Sequence, residues 1–98
     1  MPRSRWLGVA GLALAITVAV TDDGYEPATL ELTAGEVVRL VNEGDSEHSF
    51  TAEDRSFDTG RMQPGEDVTL VLTEPGEIPF FDLADRDHEG TFVVQPSD

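Results

Sequence analysis

From residue 16 onward the chain repeats one pattern: short runs with an apolar residue at every second position, each cut off by a glycine, proline or acidic turn. Ile16, Val18 and Val20 alternate with Thr17, Ala19 and Thr21, and Leu30 and Leu32 share one face of "ATLELT". "EVVRLVN" is partly apolar on both faces, Val68, Leu70 and Leu72 alternate in "DVTLVL", and "HSFTA", "EIPFF" and "GTFVVQ" complete the series. Period two is the side-chain repeat of a strand, and the 3.6-residue repeat of a helix is almost absent beyond residue 20. Turn signals at Gly35, in "NEGDSE" (42–47), at Pro64-Gly65 and at Pro75-Gly76 separate the runs. Together they predict an all-β Greek-key sandwich of seven short strands. "EDRSFDTGRMQPGE" has no period and is expected to be an irregular connection pinned by Phe57 and Met62. Pro79 cannot donate to a ladder, so pairing of its strand is expected to begin around Phe80.

Ninety-eight residues make one domain with a modest core. The absence of cysteine excludes disulfides, thiolate metal sites, iron–sulfur clusters and cysteine nucleophiles. Twenty Asp and Glu stand against six Arg and no Lys, a formal charge of −14. Such a surface lacks the cationic face that nucleic acid or an anionic membrane requires. It suits cations, a basic exported partner protein, or simply solubility at high salt, where screening makes dense negative charge tolerable. Residues 1–5 carry two arginines, and residues 6–20 are apolar apart from glycine and Thr17. That stretch is short for a bilayer of about 30 Å. With the small-residue exit Ala13-Leu14-Ala15 it reads as a signal peptide over residues 1–15, followed by a single domain over 16–98. The alternative is an uncleaved anchor through residues 6–20 at the outer membrane face. Both place the domain outside the cytoplasm, periplasmic or extracellular, and a monomer is expected.

Chemistry concentrates in "FFDLADRDHEG" (80–90), where Asp82, Asp85 and His88 fall at i, i+3 and i+6 between two apolar runs. The other histidine is His48. Carboxylate oxygen with imidazole nitrogen suits Cu(II) or Zn(II), and less well Ni(II) or Fe(II). Spacing alone leaves a solvated acidic loop as the plainer reading. Asp45, Glu47, Asp87 and Glu89 ring the same region as outer-shell groups or plain solvated charge. Ser49 and Ser56 have no nucleophile elbow or oxyanion motif beside them, so no enzyme is expected.

The Pro27 and "AGE" turns, the "N…H-S-F" segment, the "F-D-T-G…P-G" connection and the closing "G-T-F-V-V" resemble the cupredoxins, the blue copper proteins such as plastocyanin and azurin. The resemblance spans residues 16 to 95 and implies a Greek-key sandwich of seven or eight strands. It also implies a copper site made by one histidine before the "H-S-F" strand and a C-x-x-H-x-x-M-x-G loop near the C-terminus. His48 matches the first. In the loop, Asp82 falls at the cysteine position, Asp85 at the histidine, His88 at the methionine and Gly90 at the glycine. A blue centre depends on its thiolate and on ligands that tolerate both copper oxidation states. A His48, Asp82, Asp85, His88 set favours Cu(II), so a colourless or pale Cu(II) or Zn(II) site is the sharper expectation. Electron transfer, which the resemblance by itself would imply, ranks last on that chemistry. The reading from a different class is a metal-free interaction or structural module whose acidic face meets a basic partner. A buried Asp82 carboxylate would be costly unless relieved by a cation, by protonated histidine or by Arg86.

Overall fold

The structure, a computed structural model, describes residues 16–97. The segment 1–15, read above as an export signal, lies outside the described residues. Eight strands form two four-stranded sheets: β1 (Ile16–Thr21), β2 (Gly24–Glu26), β3 (Thr29–Thr33), β4 (Val37–Asn42), β5 (Thr51–Ala52), β6 (Asp67–Val71), β7 (Gly76–Asp82) and β8 (Asp85–Gln95). One sheet runs β2-β1-β4-β6 and the other β3-β8-β7-β5. β1 pairs with β4 and β3 with β8 in parallel; the remaining pairings are antiparallel. The described residues contain no helix, hence none long and apolar enough to cross a membrane.

The alternating residues do what period two requires. Val18, Val20, Val38 and Leu40 face inward from one sheet, and Ile78, Phe80, Phe92 and Val94 from the other. Phe50, Phe57, Tyr25 and Met62 join them in a single apolar cluster. Phe80 sits at its centre, with ring centroids 4.6 Å from Phe92 and 4.8 Å from Tyr25. Phe57 and Met62 do pin the irregular 53–66 connection, both being buried. The edge strand β6 is mostly exposed, with Val68 at 40% and Val71 at 49%, and only Leu72, just beyond its end, is buried.

Two expectations about strand limits change. Pairing of β7 begins at Gly76, opposite Val94, and continues through Pro79. Proline is tolerated because its carbonyl accepts from Glu53 N (2.9 Å) on the β5 side; its nitrogen shares that side and owes β8 no hydrogen bond. The stretch 82–88 is also not an open loop. It is a hairpin whose turn is Leu83-Ala84, with a register shift between Phe81 and Asp82, so β8 already begins at Asp85.

Candidate metal centre

Three local devices assemble the centre at one end of the sandwich. The first is Asn42, buried at the end of β4. Its side-chain amide donates to Ser46 O and Met62 O (2.9 Å each), and its Oδ1 accepts from Gly44 N (2.8 Å). A buried amide satisfied in this way fixes the 43–47 turn. It delivers His48 to an isolated bridge with Met62, where Met62 N donates to His48 O (2.7 Å).

The second device is the β7–β8 hairpin. On β8 the buried positions are 88, 90, 92 and 94, so His88 lies on the core face with Phe92 and Val94. Asp85, Arg86, Asp87 and Glu89 are exposed. Asp82, at the end of β7, has no solvent exposure at all. The third device is the two-residue Asp22-Asp23 turn between β1 and β2. β1 and β4 run parallel, with Val20 opposite Asn42, so this turn arrives beside the 43–47 turn. Asp22 accepts there from Asp45 N (3.1 Å) and Ser46 Oγ (3.0 Å).

These devices thread carboxylates and imidazoles into one chain. Asp82 Oδ1 accepts from Ser49 N and Ala84 N, both at 2.9 Å. Asp82 Oδ2 faces His48 Nδ1 at 2.6 Å and His88 Nδ1 at 3.1 Å. The far nitrogens meet exposed carboxylates: His48 Nε2 lies 2.8 Å from Asp22 Oδ1, and His88 Nε2 lies 3.4 Å from Asp85 Oδ2. Burial on its own would raise Asp82, but the Ala84 amide, His48, the Ser49 amide and His88 hold its carboxyl below the usual range. Burial would likewise lower His48; its hydrogen bonds with Asp22 and Asp82 override this and hold the imidazole above the ordinary histidine range. The His48 contact, aided by the Asp45 amide, brings Asp22 down to about 2.

His48, Asp82 and His88 each offer one donor atom, and these lie within 4.8 Å of one another, close enough to share an ion. Asp85, expected from spacing as a fourth ligand, stands outside that group and touches the outer nitrogen of His88. Arg86 does not relieve Asp82 but stacks 3.7 Å from the centre of the Phe81 ring. Asp45 serves the centre through Asp22, and Ser46 does so too while its Oγ also lies 3.5 Å from His48 Nε2. Asp22 is the residue that sequence reasoning misses.

Residues 9–94 match the Cupredoxin-like domain family, and the chain belongs to it. Solved structures agree on the fold. A purple cupredoxin from Nitrosopumilus maritimus is 17% identical at a TM-score of 0.76, the match covering 82% of this chain and 99% of that one. A point mutant of amicyanin, in its oxidized state, is 22% identical at 0.75, covering 83% of this chain and 82% of that one. The Cu-containing nitrite reductase of Thermus scotoductus SA-01 is 23% identical at 0.81; the match takes in 98% of this chain but only 26% of the reductase. No curated protein matches the chain.

A blue copper ion does not fit these residues, because the sequence contains no thiolate to bind it. The two imidazoles and the buried carboxylate are donor types that suit a borderline divalent cation.

Proposed function

We propose that this is an exported, non-enzymatic cupredoxin-like domain that binds Cu(II) or Zn(II) without a thiolate, through His48, Asp82 and His88. The observation that carries the reading is the fully buried Asp82 carboxylate, one oxygen of which is shared by the inward nitrogens of two imidazoles. Negative charge is kept in a protein interior when something positive holds it there, and a divalent ion does so with the donors already present. When bound, such an ion supplies Lewis acidity and a fixed positive charge. The chain's own residues orient it: Ser49 N and Ala84 N anchor the far oxygen of Asp82, the bridge to Met62 holds residue 48, and residue 88 sits on the core-facing side of β8. Nitrogen and carboxylate donors stabilise Cu(II) over Cu(I), which disfavours the shuttling that electron transfer requires.

A second reading, a metal-free module with a basic partner, is favoured by one specific distance. Bonds of about 2.0 Å at tetrahedral angles hold donors about 3.3 Å apart, whereas His48 Nδ1 and Asp82 Oδ2 are 2.6 Å apart. The pair as it stands is closed on a proton, so an ion must displace that proton and spread the pair. Calorimetric titration of the metal-stripped chain with Cu(II) and with Zn(II) separates the readings. One equivalent bound, and lost in both His48→Ala and His88→Ala, supports the metal site. Heats that neither substitution changes leave the centre as a buried ion network and turn attention to the acidic surface.

A further inference from the structure

The outer nitrogens of the two imidazoles are not treated alike. His88 Nε2 meets Asp85 at 3.4 Å, and among the described residues that carboxylate is otherwise held by Asp87 N alone (3.0 Å). His48 Nε2 meets Asp22 at 2.8 Å, and that carboxylate is gripped by the Asp45 amide and the Ser46 hydroxyl. The grip needs room. A Cβ built on Gly44 would lie 2.6 Å from Asp22 Oδ1 and 3.0 Å from His48 Nε2. The absence of a side chain at residue 44 is what lets the two groups meet.

We infer that Asp22 is a positioning residue for the centre: it accepts the Nε2–H of His48 and so commits Nδ1 to the side of Asp82 and His88. This inference rests on the reading of the centre as a metal site. The physical logic is that an imidazole binds an ion through one nitrogen only when the other carries the proton. A carboxylate on that proton fixes both the tautomer and the ring orientation and makes the free nitrogen more basic. Asp22 reaches across from the other sheet, so the β1–β2 turn becomes part of a centre whose inner residues precede β5 or lie on β7 and β8. Asp85 occupies the corresponding place on His88 with a longer contact and fewer partners, and its role is the weaker one.

The test compares the chain with Asp22→Ala, Asp22→Asn, Gly44→Ala and Asp85→Ala. Gly44→Ala keeps the carboxylate but drives it off the imidazole, and Gly44 has no positive φ that would make alanine strained. In the metal-free chain, nitrogen-edited proton NMR should show a downfield, slowly exchanging Nε2–H of His48. It should vanish in Asp22→Ala and Gly44→Ala and survive in Asp22→Asn, whose amide oxygen still accepts. Zn(II) affinity should fall about 10- to 100-fold in Asp22→Ala and Gly44→Ala, less in Asp85→Ala, and be largely restored in Asp22→Asn. Pulsed EPR of the Cu(II)-loaded chain should show the remote nitrogen of one imidazole altered in Asp22→Ala, which a merely structural role would not produce. Unchanged Zn(II) affinity in Asp22→Ala and Gly44→Ala overturns the inference while leaving the metal site standing. An unsubstituted chain that binds neither ion overturns the metal site instead, and persistence of the Nε2–H signal in Asp22→Ala then overturns the positioning contact on its own.

Discussion

Asp82 holds the position at which the family resemblance puts a thiolate, and its surroundings say what each exchange there would do. Both inward imidazole nitrogens converge on its Oδ2, so residue 88, rather than residue 85, supplies the second nitrogen donor. Asp82→Cys alone should therefore create a His2Cys set from the two histidines already in place. A thiolate is one atom shorter than a carboxylate, and its metal bond of about 2.3 Å rather than about 2.0 Å recovers part of that difference. The Ser49 and Ala84 amides, which now donate to Asp82 Oδ1, would face the sulfur. With Cu(II) this variant should show an intense visible absorption band that the unsubstituted chain lacks; a spectrum without one would mean the sulfur does not reach the ion that the histidines hold. The same contacts predict how the metal-free fold responds to pH. His48 is raised in the folded chain, so its contribution is complete below the ordinary histidine value and is lost as pH rises through the higher folded value. Asp22 and Asp82 are lowered, so theirs is present above the ordinary carboxylate value and lost as pH falls through the folded values. Urea midpoints across pH should thus peak between the two ranges, and Asp22→Ala should flatten both flanks. Metal binding should run the other way above neutrality, tightening with pH as the His48 Nδ1 proton leaves.

At the scale of elements, the β7–β8 hairpin joins core and centre, and Gly90 is where the two meet. A Cβ at Gly90 would overlap Cζ of the Phe80 ring and lie 2.6 Å from its Cε2. It would also lie 2.9 Å from Ala28 O, the carbonyl that accepts from Thr91 N. Phe80 cannot retreat, being packed against Tyr25, Phe50, Phe57 and Phe92. Gly90→Ala should cost about 1–3 kcal/mol as an overpacked core, read as a lower urea midpoint at unchanged slope. Two residues up the strand, His88 should shift with it and weaken Zn(II) binding. These elements also mark what the sequence could show. Alternation identifies the strands because each has one buried face, and the same alternation places His88 in phase with Gly90, Phe92 and Val94. Reading 82–88 as a loop hides that phase, since its charges look like a turn until Asp85, Asp87 and Glu89 are seen as the outer face of β8. β2 escapes a sequence reading because three residues, only one of them buried, carry too little pattern. His48 and Asp82 are legible through the resemblance. Asp22 is not, because its contact depends on parallel pairing of β1 with β4, which no local pattern encodes.

For the whole molecule the governing quantity is the charge of −14, which makes weak attraction of cations unavoidable and raises the question of how a built centre differs from it. Most of these carboxylates are exposed, including Asp22 and Asp85 at the rim of the centre, whereas Asp82 is sealed from solvent. Salt separates the two populations. The screening length falls from about 10 Å at 0.1 M to about 3 Å at 1 M, which removes most interaction between exposed charges and leaves buried pairs much less affected. Two consequences follow from one titration with sodium chloride. The fold itself should gain stability, since screening relaxes the mutual repulsion of a surface with few cationic partners, and the thermal midpoint should rise between about 0.1 and 1 M. Zn(II) bound beyond one equivalent should disappear over the same range, while the equivalent that depends on His48 and His88 persists. If that equivalent is lost with the rest, the ion was held by the diffuse field of the acidic surface. Asp82 would then owe its burial to the two imidazoles and the two amide donors, a network complete without a metal.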